Sequence, residues 1–242
     1  MEKCTAILLA AGAGRRMKSD TAKQYMMLCG KPVIWYGLQA FESSPLVDDC
    51  ILVVGAGEVA YAREEIVERY GFRKVSAVIE GGRERFLSVN CALDVLRHRQ
   101  KDAGYVMIHD GARPLLTGEL IEALYRDAEQ YGACCAAVPV KDTVKVSDGS
   151  GFVERTPDRS LLYAVQTPQV FRTSVILKAY DALLGALEEL EKEGVHITDD
   201  AMVVEHMLGA PVRLTESSYE NIKITTPEDM EVAERFLHNH RP

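Results

Sequence analysis

Apolar and polar positions along the 242 residues alternate between two periods. From Ala6 the chain is almost wholly apolar as far as Ala11, the reading of a strand buried on both faces, and it runs directly into Gly12 and Gly14. Between Lys31 and Ser43, Ile34, Leu38 and Phe41 recur about one turn apart and Pro32 sits in the first turn, which predicts an amphipathic helix. Cys50 to Val54 reads as a second buried strand, Glu58 to Tyr70 as a helix stopped by Gly71, and Val75 to Ile79 as a third strand. A helix through Ser88 and Leu93, a strand Tyr105 to Ile108, a helix Glu119 to Tyr131 and a strand Cys134 to Val138 continue the alternation. Such a sequence of elements predicts an α/β fold: a parallel sheet with helices on both faces.

Beyond Val138 the period changes. Thr143 to Thr156 alternates apolar and polar residues around an Asp148-Gly149-Ser150-Gly151 turn, which predicts a β-hairpin. An isolated hairpin is marginal in water, so this arm needs a surface to lie on, and a second copy of the chain is the economical one. Pro157 to Gln169 reads as an irregular polar stretch, of the kind where loops carry function. Thr173 to Glu193 is a long helix closed by Gly194, Thr198 caps a further helix through Met207, and Val212 to Leu214 is a short strand. Asn221 to Thr225 places Lys223 between two isoleucines, and Thr226 with Pro227 starts the last helix. No repeat or linker interrupts the pattern, so one domain spanning 1–242 is expected, with the β-arm over 142–157 as a subregion.

Composition narrows the class. No apolar run approaches a membrane span, which predicts a chain without a membrane partner, residing in the cytoplasm. The net charge of −8 argues against a general nucleic-acid binder, whose affinity comes from a surplus of Lys and Arg on one face. The six cysteines show no Cys-x-x-Cys spacing and read as buried thiols of a reducing compartment rather than as disulfides or metal ligands.

Against that acidic background, local basic clusters point to a small anionic ligand. The loop after the first strand carries Gly12, Gly14, Arg15, Arg16 and Lys23, flanked by Ala10 and Ala11. Small residues let the backbone N–H groups approach phosphate oxygens. The dinucleotide fingerprint fails because Met17 stands where a third glycine is needed, and the Walker pattern fails for want of Gly-Lys-Ser/Thr. A loop with excess positive charge suits a triphosphate and the charge that develops when one is cleaved; a surface turn with solvated charges is the plain alternative. In an open parallel sheet ligands sit beyond the carboxyl ends of the strands. There Gly81 and Gly82 could admit a flat base while Ser88 offers a hydroxyl, with an ordinary turn bearing Arg83, Glu84 and Arg85 as the competing reading. The next strand delivers His109, Asp110 and Arg113 to the same edge. Asp110 could orient a sugar hydroxyl or a magnesium shell, with Arg113 holding it. His109, on the opposite face of the strand, reads as a packed histidine.

The motifs LAAGAGRRM, AKQY, GGRER followed by Ser88, HDGARP, VPVKDTVK, QTPQVF, ITDDA and NIKITTPED stand in this order along nearly the whole chain. Together they resemble the 2-C-methyl-D-erythritol 4-phosphate cytidylyltransferase family of the non-mevalonate isoprenoid pathway. The resemblance implies a Rossmann-like nucleotidyltransferase fold with a mostly parallel mixed sheet, and a homodimer joined through the β-hairpin arm. It implies transfer of a cytidylyl group from CTP to the phosphate of methylerythritol phosphate, a polyol phosphate, releasing pyrophosphate, with Mg2+ held mainly by the CTP phosphates. Arg16 and Lys23 would stabilise charge on the α-phosphate and leaving pyrophosphate, while Arg159, reaching across the dimer, and Lys223 would position the substrate phosphate. Ala10, Ala11, Gly82, Arg83 and Ser88 fall where the family holds cytosine. Asp110, Arg113, Thr143, Thr167 and Thr198 fall where it holds ribose and substrate. The attacking phosphate is largely a dianion at neutral pH, its second pKa being about 6, so cations and orientation rather than a general base are the tools required.

Three positions depart from the family pattern: Ala22 for a common proline, Tyr163 for a common tryptophan, and Arg83 at a position often acidic or otherwise polar. Two other functions compete. A pentitol phosphate cytidylyltransferase, such as the ribitol 5-phosphate enzyme, shares scaffold and motifs but tends to Gly-Gly where this chain has Ala10 and Ala11. A non-catalytic nucleotide-binding regulator would not need four separated cations.

Overall fold

The computed structural model describes residues 2–12, 22–99 and 104–239. Among them, seven strands form one sheet: β1 (Cys4–Ala10), β4 (Asp49–Val54), β5 (Val75–Glu80), β6 (Tyr105–Asp110), β7 (Ala133–Pro139), β10 (Tyr163–Arg172) and β11 (Arg213–Glu216). Their spatial order is β11-β7-β10-β6-β1-β4-β5. Two-stranded pairs are made by β2 (Met27–Leu28) with β3 (Lys31–Pro32) and by β8 (Val146–Ser147) with β9 (Val153–Arg155). The helices are α1 (Val33–Ser43), α2 (Val59–Tyr61) continuing into a π-helical segment Ala62–Glu68, α3 (Arg85–His98), α4 (Gly118–Tyr131), α5 (Thr173–Glu193), α6 (Asp200–Leu208) and α7 (Pro227–Asn239).

Period-two alternation builds the two cores. On β1, Cys4, Ala6, Leu8 and Ala10 join one buried cluster with α1, the helix after β4, and α4, whereas Ile7 joins a second with α3, α5 and α6. Both faces of β1 are therefore dry, which explains its continuous apolar run. A smaller cluster of Leu28, Val33, Ile224 and Ala233 seats α7 against the segment following Lys23. That packing fixes the stretch carrying Lys223 beside the stretch carrying Lys23.

The sheet is mixed and mostly parallel, as the family resemblance implies: β10 alone runs antiparallel, to both β6 and β7. Three sequence expectations change. β10 includes Gln166, Thr167 and Gln169, read from sequence as loop; all three are buried and hydrogen-bonded, so their polarity does not put them at the surface. Pro32 precedes α1 in extended conformation (φ −63°, ψ 145°) and pairs through β3 instead of entering the first turn. Asp199, not Thr198, caps α6: its carboxylate accepts the Met202 N–H at 2.9 Å, and the exposed Thr198 hydroxyl turns to Met202 Sδ at 3.5 Å. At Ala22 the backbone keeps φ −58°, close to the angle a proline ring imposes, so the substitution leaves the turn Lys23–Tyr25 in place.

Candidate active site

The carboxyl ends of β1 and β6 and the turn after β5 meet around a cavity of about 350 Å³. Ala10, Ala11 and Gly12 form one wall, Gly82, Arg83 and Ser88 another, and Asp110, Lys23 and Lys223 stand between them. The glycine turn has a steric reason: a Cβ on Gly81 would lie 2.6 Å from both Ala11 Cβ and Ser88 Oγ, and one on Gly82 would lie 2.5 Å from Leu87 Cβ. Only glycine lets the β5–α3 turn close against the β1 loop. Ser88 is buried, its hydroxyl donating toward the Glu84 carbonyl at 3.1 Å and the Gly82 carbonyl at 3.3 Å. Arg83 is exposed at the rim.

Asp110 is the electrostatic centre. Leu9 on β1 and Asp110 on β6 are in register, and the pleat aims Asp110 to the α3 face while His109 points to the α1 face. Lys223 Nζ donates to Asp110 Oδ2 at 2.7 Å, and Arg85 Nε donates to Oδ1 at 3.3 Å. Burial alone would raise this carboxyl, but Arg85, Lys223 and Arg113 outweigh it and hold the group well below the usual carboxylate range. The expected Arg113 clamp on Asp110 is only a 3.9 Å ion pair; the Arg113 fork instead donates to the Asn221 carbonyl at 2.7 Å. Lys23 Nζ donates to the Ile224 carbonyl at 3.0 Å, one residue from Lys223.

His109 is wholly buried, and its bonds assign its tautomer. The Asp110 N–H donates to Thr167 Oγ1 at 3.0 Å, which leaves that hydroxyl's hydrogen for His109 Nδ1, also at 3.0 Å. Nε2–H then donates to the Arg113 carbonyl at 3.1 Å. Burial, opposed by the Arg113 carbonyl and Asp110, brings the imidazole down to about 4. An unfolded histidine titrates near 6.5, so between those values the unfolded chain holds the extra proton. Stability from this group is complete above about pH 6.5 and is lost as pH falls through about 4, by roughly 3 kcal/mol. Denaturant unfolding across that window should show the slope, and His109→Gln should flatten it; an unchanged slope in the variant would assign the loss elsewhere.

Among the described residues, the remaining sequence candidates lie apart from the cavity. Thr167 is buried and its hydroxyl is committed to Asp110 N–H and His109. Thr143, Arg159 and Thr198 are exposed, and Arg159 donates to the Lys141 carbonyl at 2.7 Å on the arm side. Gly14 and Arg16 lie outside the described residues, as does Arg15. Sequence reading overlooked Arg85 and Asp200. Arg85 was one charge in a Arg-Glu-Arg run, and Asp200 one of two acids at a helix start, with nothing in their spacing to link positions so far apart.

A family model described as 2-C-methyl-D-erythritol 4-phosphate cytidylyltransferase matches residues 4–239. The proteins of that name from Lachnoclostridium phytofermentans and Lachnospira eligens are 50% and 49% identical to this chain, over 100% and 96% of it and 99% and 98% of their own lengths. Among solved structures, 2-C-methyl-D-erythritol 4-phosphate cytidylyltransferase of Francisella tularensis superposes with a TM-score of 0.78 at 32% identity, covering 96% of this chain and 99% of that one. The 4-diphosphocytidyl-2C-methyl-D-erythritol synthase of Anaerococcus prevotii gives 0.80 at 29% identity, covering 98% and 96%.

Proposed function

The chain belongs to the 2-C-methyl-D-erythritol 4-phosphate cytidylyltransferase family, and we infer that it transfers the cytidylyl group of CTP to 2-C-methyl-D-erythritol 4-phosphate. An oxygen of the acceptor phosphate attacks the α-phosphorus, the bond from that phosphorus to the bridging oxygen of the β-phosphate breaks, and the electron pair leaves with pyrophosphate. The products are 4-diphosphocytidyl-2-C-methyl-D-erythritol and pyrophosphate. The observation that carries the reading is one cavity holding Lys23, Lys223 and Asp110 between two small-residue walls.

In this reading Lys23, with Arg16, meets charge building on the α-phosphate and leaving group, and Lys223 draws in the acceptor phosphate. Ala10, Ala11, Gly12, Gly82 and Ser88 leave room for the nucleoside. His109 takes no part as a base, since its ring faces away from the cavity and both its nitrogens are engaged. Among the described residues there is no group of three or more His, Cys, Asp or Glu able to cage a metal. Magnesium would be held mainly by the triphosphate oxygens, and Asp110, whose two oxygens accept from Arg85 and Lys223, would meet it only through water. When bound, magnesium supplies neutralisation of triphosphate charge.

A homodimer through the arm is part of the proposal. Phe152, Val153, Leu161, Tyr163 and Val165 are exposed apolar side chains on and beside the β8–β9 hairpin, and covering them would remove a patch costly in water. Among the described residues no helix is long and apolar enough to cross a membrane. Free buried Cys4, Cys50, Cys134 and Cys135 support a reducing, cytoplasmic setting.

Pyrophosphate release with CTP and magnesium tests the reading, with methylerythritol phosphate, ribitol 5-phosphate and no acceptor in parallel. Release with the first alone is expected. Release with ribitol 5-phosphate alone would move the protein to another acceptor, and silence with both would leave a nucleotide-binding regulator.

A further inference from the structure

We propose that Arg85 is a positioning residue for this reaction: by bridging Asp200 to Asp110, it fixes the carboxylate that steers Lys223 toward the acceptor phosphate. The inference rests on the role given to Lys223 above. Its first support is where Arg85 stands. It opens α3, directly after the N-cap Glu84, where the positive end of the helix dipole opposes a cation. A guanidinium placed against that field is held there by other charges, and the structure supplies two of them.

Asp200 is the fixed end of the bridge. Its side chain is fully buried in the first turn of α6, where a carboxylate is favoured by the dipole, and Tyr180 Oη donates to its Oδ1 at 2.6 Å. Arg85 Nη2 donates to Asp200 Oδ2 at 2.7 Å, while Nε reaches Asp110 Oδ1 at 3.3 Å. The chain Tyr180, Asp200, Arg85, Asp110, Lys223 thus runs from the core to the cavity, with each oxygen of both carboxylates taken by a named donor.

The consequence concerns partner exchange. When a phosphate takes the other Lys223 N–H donors, it competes with Asp110 Oδ2 for the ammonium. A buried carboxylate left bare resists that pull. With Arg85 already on Oδ1, Asp110 keeps a cation when Lys223 turns away; without Arg85 the nearest remaining one is Arg113, at 3.9 Å with no hydrogen bond. Arg85 is also rigid in the way the task requires, since its planar fork is fixed at the Asp200 end before any ligand arrives.

Steady-state kinetics on three variants test this, with melting temperature recorded for each. Arg85→Lys keeps a cation beside Asp200 but cannot span both carboxylates. Arg85→Gln with Asp200→Asn removes the buried charges as a pair, so the site stays hydrogen-bonded. Both are expected to raise KM for methylerythritol phosphate about tenfold or more while KM for CTP stays within about twofold. Lys223→Ala serves as the reference and should raise the same acceptor KM. Unchanged acceptor KM in both Arg85 variants, beside a raised one in Lys223→Ala, would overturn the positioning role and leave Arg85 a structural bridge. Unchanged acceptor KM in Lys223→Ala would overturn the reading of the site itself. Where the double variant melts too low to assay, Arg85→Lys decides.

Discussion

Replacing Lys23 with alanine is expected to lower kcat about 10²- to 10³-fold while leaving CTP affinity within about threefold of its original value. The reason lies in when charge appears. In bound CTP the triphosphate oxygens would share their charge among several donors, so removing one ammonium would cost the ground state little. As the bond to pyrophosphate breaks, negative charge grows on the bridging oxygen, and a fixed cation gains most there. Lys23 is suited to that moment because its position is set in advance: it opens the short helical turn Lys23–Tyr25, and its Nζ is tied to the Ile224 carbonyl at 3.0 Å. Calorimetric CTP binding alongside turnover with saturating substrates checks the division. Equal losses in binding and turnover would show that Lys23 grips the ground-state phosphate.

The carbonyl that receives Lys23 belongs to the residue after Lys223, so the two lysines share one short segment. That segment is itself pinned, because Ile224 N–H donates to the Ala112 carbonyl at 2.8 Å and Ile224 packs into the Leu28, Val33 and Ala233 cluster. Asn221 adds a second anchor, donating to Gln166 Oε1 and to the Thr167 carbonyl, both at 2.9 Å. Both lysines are therefore placed by the docking of α7 and by β10, elements far apart in sequence from the glycine loop.

This arrangement explains which parts of the site sequence reasoning could reach. The walls of the cavity were legible because Gly12, Gly82 and their neighbours mark strand ends, and an open sheet brings strand ends to one edge. Lys223 was legible because a cation between Ile222 and Ile224 violates the apolar pattern around it. The bridge from Tyr180 to Asp110 was not, since it joins α5, α6, α3 and β6 through side chains whose local patterns are ordinary. β10 was hidden for a related reason. Its middle residues are polar, and Pro168 interrupts the run, yet Gln169 is buried because its amide donates to Asp199 and accepts from Ala201 N–H, each at 2.8 Å. A residue whose polarity is spent internally looks like loop until its partners are known.

The arm offers the second large effect. Arg159 and Thr143 stand on the exposed arm side and do not line the cavity of their own chain, so a role for them in acceptor binding requires another copy to bring them in. If that is so, Arg159→Ala and Lys223→Ala homodimers should each lose about 10²-fold in activity. Mixed and reassorted, the two variants should regain about a quarter of wild-type activity, because half the dimers are mixed and each mixed dimer rebuilds one site of two. The arithmetic is what makes the experiment decisive. A site built within one chain places each defect in its own cavity, so reassortment would restore nothing, and verified heterodimers without activity would return Arg159 to the surface of a single subunit. Recovery near a quarter would instead assign the exposed arm its reason: the two arginine-bearing turns would each complete the other chain's cavity, and the apolar patch around Phe152 and Leu161 would be the contact that holds them there.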